Sequence, residues 1–273
     1  MAVKLIVTDL DGTLMAADHL TVTERTRNAL KEAHDRGIKI AIATGRTLGF
    51  VDNVIKQIPF CDYVVYSNGA AVYDRNEKKD IYENRISAEM TKLLLSEIEK
   101  FEIYYNSYFS GKILVPESKM KYYVNRGLPQ AFLDEFMSLS TVCGDMLKET
   151  DGKNAEIIAI YSITDEQKKH FCDLFEKHGL YVTSSIPGEI EVTAANVNKG
   201  TALDGFCKTL GIEKSEVMAF GDAMNDYEML LFAGESVAMG NACEECKSVA
   251  KHIVDTNAND GLAKAVEELV LKA

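Results

Sequence analysis

The chain is short of positive charge: 30 Lys and Arg stand against 42 Asp and Glu, a net charge of −12 over 273 residues. That deficit argues against a nucleic-acid or anionic-membrane surface, because both are bound through clustered cations. A phosphorylated small molecule stays open as a ligand, provided its own site carries a cation. No apolar run approaches the roughly 20 residues needed to cross a bilayer, so no membrane partner is expected. Met1-Ala2-Val3-Lys4 leads directly into a strand-like run, without a cleavable signal pattern, and a cytoplasmic location is the expectation. Six cysteines, Cys61, Cys143, Cys172, Cys207, Cys243 and Cys246, have no framework spacing, which predicts reduced thiols rather than a disulfide scaffold. Cys243 and Cys246 do form a CxxC. No second pair stands at zinc spacing and no strand–helix redox context is evident, so a structural or incidental role is expected. The five histidines, His19, His34, His170, His178 and His252, lie outside every motif below, which argues against a histidine phosphatase or a zinc hydrolase. Internal repeats and low-complexity tracts are also missing.

What remains is the composition of an ordinary globular protein, 47% hydrophobic and 26% charged, long enough for one large domain or two smaller ones. The first third alternates strand and helix. Leu5-Ile6-Val7 reads as a strand buried on both faces. Thr21-Val22-Thr23-Glu24 has the pattern of a capping box, opening a helix with Ala29, Leu30 and Ala33 on one face and Gly37 as its stop. Ile38–Ala43 and Asp62–Tyr66 read as further strands, and this alternation implies a parallel sheet with helices on both faces. From about Asn84 the texture changes. A helix carrying Leu93, Leu94, Leu95 and Ile98 precedes strand-like runs at Glu102–Tyr108, Lys112–Val115, Glu156–Tyr161, Tyr181–Ser184 and Glu189–Val192, with a helix over Asp165–Lys177. Neighbouring strands joined by short connections suggest an antiparallel sheet with helices on one face. The alternating pattern returns near Lys199, with a helix over Ala202–Leu210, strands at Glu216–Phe220, Ser236–Met239 and His252–Val254, and a helix over Leu262–Leu271. The fold class expected is α/β: a parallel-sheet core formed by residues 1–83 and 187–273, with an inserted α+β domain over 84–186.

Asp9 and Asp11 follow the first strand. In extended backbone, residues i and i+2 point to the same side, so both carboxylates could converge on one small volume while Gly12 turns the chain. Crowded carboxylates repel unless a cation or a shared proton separates them, which points to a divalent metal. Taken alone, the pair reads as an acidic turn. Three more polar clusters, however, fall at core strand ends or just before a helix: Thr44, Lys199 and Asp222/Asn225/Asp226. In open parallel sheets the ligand site lies beyond the carboxyl ends of the strands, and independent acidic turns would not gather there.

The motifs are DLDGTL at Asp9–Leu14, TGR at Thr44–Arg46, NKG at Asn198–Gly200 and GDAMND at Gly221–Asp226, supported by SNGA at Ser67–Ala70, AMGNA at Ala238–Ala242 and NDGLA at Asn259–Ala263. With them the chain resembles the haloacid dehalogenase superfamily, and within it the Cof-type phosphatases. The likeness spans nearly the whole chain and is specific in the core. Thr193–Val197 departs from it, standing where many relatives have a shorter Gly-containing run. The resemblance implies a Rossmann-like core and a large α+β cap that closes over substrate. It implies that Asp9 attacks phosphorus to give an aspartyl-phosphate, and that Asp11 protonates the leaving group and then activates water. Mg²⁺ would be held by the Asp9 carboxylate, the Asp11 backbone carbonyl and the Asp222 carboxylate, with Asp226 supporting. Thr44 would offer its hydroxyl and backbone amide to the phosphate, alongside Gly45, Lys199 and Asn225. Arg46 fits a structural or surface role as well as a substrate contact, and stays outside the catalytic set. Tyr104, Tyr105 and Tyr108 read first as strand packing.

The expected activity is hydrolysis of a small phosphorylated metabolite, a sugar phosphate being one candidate. A phosphomutase is the nearest alternative; it needs a device that shields the phosphoenzyme from water, and none is visible. A non-catalytic phospho-aspartate module or metabolite sensor would share the acidic pocket, but has no reason to carry an insertion of about a hundred residues.

Overall fold

The computed structural model describes residues 3–121, 130–183 and 188–272. Its first segment runs through β1 (Leu5–Thr8), α1 (Glu24–Asp35), β2 (Lys39–Ala43), α2 (Asp52–Ile55), β3 (Tyr63–Tyr66), β4 (Ala71–Asp74) and β5 (Lys79–Glu83). The second comprises α3 (Ala88–Ile98), β6 (Tyr104–Phe109), β7 (Lys112–Pro116), α4 (Gln130–Leu139), β8 (Ser140–Cys143), α5 (Met146–Glu149), β9 (Ile157–Tyr161), α6 (Asp165–Lys177), β10 (Tyr181–Thr183) and β11 (Ile190–Thr193). The third holds α7 (Lys199–Leu210), β12 (Val217–Gly221), α8 (Tyr227–Phe232), β13 (Glu235–Ala238), α9 (Glu244–Val249), β14 (His252–Ile253) and α10 (Gly261–Val266).

These elements form two compact units. One contains Met1–Arg46, Val51–Glu83 and Asn198–Ala273; the other contains Thr47–Phe50 and Asn84–Val197. The sequence put the return to the core at residue 187. β11 instead pairs with β9 and β10 of the second unit, and the division falls between Val197 and Asn198. Ser184, expected to end β10, lies outside the described residues.

The first unit is an eight-stranded sheet in the order β14-β13-β12-β1-β2-β3-β4-β5. It is parallel from β14 to β3, and β4 and β5 add an antiparallel edge. The strands are aliphatic on both faces because both faces are covered. Leu5, Val7, Ala41, Ala43, Val65 and Ala219 pack with Ala202, Leu203 and Phe206 of α7, while Ile6, Ile40, Ile42, Val64 and Met218, of opposite parity, are equally buried. Each Val, Leu, Ile, Met or Phe among them contributes roughly 1.5–3 kcal/mol on burial, and each Ala less. The β4–β5 edge went unread in the sequence. Ser67, Asn68 and Gly69 all take positive φ (49°, 54° and 99°), reversing the chain within three residues before β4 begins. The cap of α1 also differs from expectation. Thr23, not Thr21, accepts the Thr26 amide, while the Thr21 hydroxyl is drawn away to Asp18.

The second unit is a six-stranded sheet in the order β10-β11-β9-β6-β7-β8, antiparallel except where β8 lies parallel to β7. Among the described residues no helix is long and apolar enough to cross a membrane.

Candidate active site

β1, β2 and β12 lie side by side in parallel register, Val7 opposite both Ala41 and Ala219. Their carboxyl ends therefore deliver Asp9, Thr44 and Asp222 to one edge of the sheet. Past Thr8 the chain enters an irregular turn, Leu10–Leu14, in which Asp11 is extended (φ −80°, ψ 115°) and Gly12 sits at φ 84°. Only glycine fits there without strain. A Cβ at Gly12 would also stand 2.4 Å from Asp222 Oδ2.

Lys199 reaches the same place from the other direction. Asn198 caps α7 reciprocally: its side chain accepts the Thr201 amide at 2.8 Å, and the Thr201 hydroxyl accepts the Asn198 amide at 3.3 Å. This starts the helix three residues earlier than the sequence suggested and makes Lys199 its first residue. The ammonium is fully buried and donates to Asp9 Oδ1 and Asp226 Oδ1, both at 2.6 Å. Burial alone would lower its pKa, but the two carboxylates overcome that and raise it, so the charge is held.

The carboxylates are less settled. Burial pushes Asp9 up to about 7; Lys199 pulls it down, while Asp226 and Asp222 push it further up. Asp222 is raised mainly by burial, against a hydrogen bond from the Thr13 hydroxyl at 2.6 Å. Asp226 is fully engaged: Oδ1 takes Lys199, and Oδ2 accepts the Asp222 and Ala223 amides at 2.9 and 3.1 Å. It ties the loop after β12 to the buried lysine.

Asp9, Asp222 and Asp226 each offer an oxygen within 4.8 Å of the others. Three carboxylates against one ammonium leave the cluster with excess negative charge, and all its donors are hard oxygens, the set that suits a small divalent cation. The residues fit a metal. Asp9 Oδ2 and Asp222 Oδ2 are its least committed oxygens, because Asp226 is occupied within the protein.

Asp11 does not join this cluster. Its carboxylate takes a two-pronged bond from Arg46, Nη2 to Oδ1 at 2.7 Å and Nε to Oδ2 at 3.0 Å, and its side chain is 44% exposed. The i, i+2 expectation of convergence fails because the chain leaves the extended line at Leu10.

The remaining expectations divide. Thr44 is buried, but its amide donates to the Val65 carbonyl at 2.9 Å as the last rung of the β2–β3 ladder. Its hydroxyl oxygen accepts the Arg46 amide at 3.1 Å, which leaves the hydroxyl proton as its available donor. Gly45 follows, and a Cβ there would stand 3.0 Å from Asn68 Oδ1. Asn225 is exposed and donates to Asn68 Oδ1 at 3.2 Å. Four residues near these went unassigned: Thr13, Arg46, Asn68 and Asn241. Asn241 donates to the Gly12 carbonyl at 2.8 Å, and Thr13 bridges to a residue 209 positions away. All four lie in motifs visible in the sequence, but spacing alone does not show which partner each one holds.

The fold and this cluster define a class: an α/β protein with a carboxylate–ammonium site at the strand ends of a parallel sheet. The family model of haloacid dehalogenase-like hydrolases matches residues 6–266, and the chain belongs to that family. It is 30% identical over 274 residues to the 5-amino-6-(5-phospho-D-ribitylamino)uracil phosphatase YcsE of Bacillus subtilis (strain 168), covering 98% of this chain and 96% of that protein. A haloacid dehalogenase-like hydrolase from Bacteroides thetaiotaomicron shares its fold with a TM-score of 0.83 at 27% identity, covering 98% of this chain and 99% of that one. The sugar phosphatase BT4131, of HAD subclass IIB, gives a TM-score of 0.77 at 27% identity, covering 97% and 98%.

Proposed function

We propose that the chain is a Mg²⁺-dependent phosphomonoester hydrolase that works through an aspartyl-phosphate on Asp9. The observation that carries this reading is the buried Asp9 carboxylate at the end of β1, held by Lys199 at 2.6 Å. A carboxylate so fixed can present its other oxygen to a phosphorus atom without paying for orientation at the moment of attack. Lys199 faces the charge that develops on the equatorial oxygens. The Thr44 hydroxyl and the Gly45 amide are assigned to the phosphate, and Asn225 is a further donor. Asp226 positions Lys199 and the Asp222 loop. Asp11 is assigned the proton transfers, first to the leaving alkoxide and then from water; it must part from Arg46 to reach either. A bound divalent cation would offset the repulsion between Asp9 and an anionic ester, with Asp9, Asp222 and the Asp11 carbonyl as its holders.

The relatives' names supply the substrate class: a phosphoribityl pyrimidine for one, a sugar phosphate for another, and HMP-PP for a third, from Serratia proteamaculans. A small phosphorylated metabolite is accordingly the proposed substrate, with the cytoplasm as the compartment and the unit over 84–197 selecting among esters. The test is steady-state release of phosphate from a broad ester panel with Mg²⁺. Selective turnover, with kcat/KM spread over several esters and lost on chelation, is expected. Tight binding of a metabolite with no phosphate release would replace this reading with a sensor.

A further inference from the structure

The CxxC has a setting that its sequence did not reveal. β13 ends at Ala238, a short connection follows, and α9 begins at Glu244 with Cys243 as its N-cap and Cys246 in its first turn. This is a strand–loop–helix context, the one in which a CxxC reads as redox-active. N-cap and third-position side chains approach each other at a helix start, which places the two thiols on the same first turn of α9. Cys243 is half-buried and Cys246 buried, and both are free thiols.

Both residues are also fastened to the loop that carries the acidic cluster. The Cys243 amide donates to the Asp222 carbonyl at 2.9 Å. The Cys246 thiol donates to the Ala223 carbonyl at 3.0 Å. Ala223 in turn donates its amide to Asp226 Oδ2, whose partner oxygen holds Lys199. A continuous run of contacts therefore leads from the thiols to the buried ammonium.

We propose that Cys243 and Cys246 form a reversible intramolecular disulfide that loosens the Asp222–Asp226 loop and lowers turnover. Cys243, the more accessible, attacks one sulfur of a small-molecule disulfide and expels the first thiol. The Cys246 sulfur then attacks Cys243 and expels the second. Two electrons pass to the oxidant, which is reduced to two thiols with the two protons that the cysteines give up. Cys246 can no longer donate to Ala223, and its sulfur must move to the disulfide distance of about 2.05 Å. The effect on turnover rests on the phosphatase reading; the bond and the loosening do not.

The experiment treats the 273-residue chain with oxidised glutathione. Trypsin without reduction releases Ser215–Lys247, which holds these two cysteines and no other. The expected result is that this peptide becomes two hydrogens lighter, while the Asp222 and Ala223 amides exchange faster. Hydrolysis of p-nitrophenyl phosphate should fall by about tenfold, within the usual range of coupling between sites, and return with dithiothreitol. Cys243→Ser should match the reduced wild type in activity and lose the oxidant response. An unchanged peptide, a mixed disulfide that stops at Cys243, unaltered amide exchange, or an equal loss in Cys243→Ser would overturn the proposal. If the reduced protein hydrolyses no ester, the phosphatase reading fails while the peptide and exchange readouts still decide this one.

Discussion

Asp9 and Asp11 are two residues apart on one short segment, yet they occupy opposite environments. Asp9 is 5% exposed and shares the fully buried Lys199 with Asp226. Asp11 is turned outward, its side chain 44% exposed, against an arginine that is itself 29% exposed. A buried charge must be matched, because its desolvation is offset only by close partners. An exposed ion pair is solvated whether or not it forms. The first carboxylate is thus fixed and the second is free to exchange partners, which suits the nucleophile and proton carrier proposed for them.

The comparison breaks most visibly at Asp9. Asp9→Asn should lower turnover by about ten-thousandfold or more, the scale of losing a nucleophile, with the fold retained by circular dichroism. Retained activity would remove the assignment. Lys199→Met should cost about 3–5 kcal/mol of stability in urea titrations, because it leaves two buried carboxylates without their cation. Asp11→Asn should lower kcat/KM, which reports transfer of the phosphoryl group to the enzyme, by about a hundredfold to a thousandfold for alkyl phosphates, and less for p-nitrophenyl phosphate, whose leaving group needs no proton. Equal losses of kcat/KM on both esters would count against protonation of the leaving group by Asp11.

A pH series sharpens the same contrast. Asp9 is raised from 3.8 to about 7 on folding, chiefly by burial, and Asp222 is raised in the same direction. The folded chain therefore binds more protons than the unfolded chain between those values. In metal-free buffer its unfolding free energy should fall as pH rises from about 4 to about 7. Asp9→Asn should flatten that slope, and an unchanged slope would contradict the burial argument. Arg46→Ala, removing the partner of the exposed carboxylate, should change stability by less than about 1 kcal/mol.

The elements best read from sequence are those whose signals are local. α6 spans Asp165–Lys177 as expected, since Thr164 and Gln167 cap it reciprocally and Gly179 follows it at φ 71°. The central strands announce themselves as aliphatic runs. β8 does not, because Ser140–Cys143 is a largely exposed edge strand with a single buried residue. The β4–β5 edge hid behind an unusual run of positive φ. At the site, residue types were legible and pairings were not. A lysine before a helix is ordinarily solvated; Lys199 is buried only because Asp9, 190 positions away, and Asp226, 27 away, close on it. The sheet's hydrogen bonding claims the Thr44 amide for Val65, a competition that no spacing in the sequence reveals.

The central claim is a covalent bond between phosphorus and Asp9. Asp11→Asn, given p-nitrophenyl phosphate and Mg²⁺ and quenched in acid during turnover, is the most direct test, because slowed water activation should let the phosphoenzyme accumulate. Peptide mapping should find one phosphoryl group on Leu5–Arg25, located at Asp9 and absent when Asp9→Asn is added. Steady release of p-nitrophenol with no phosphoryl group on that peptide, or with the group on another residue, would contradict it.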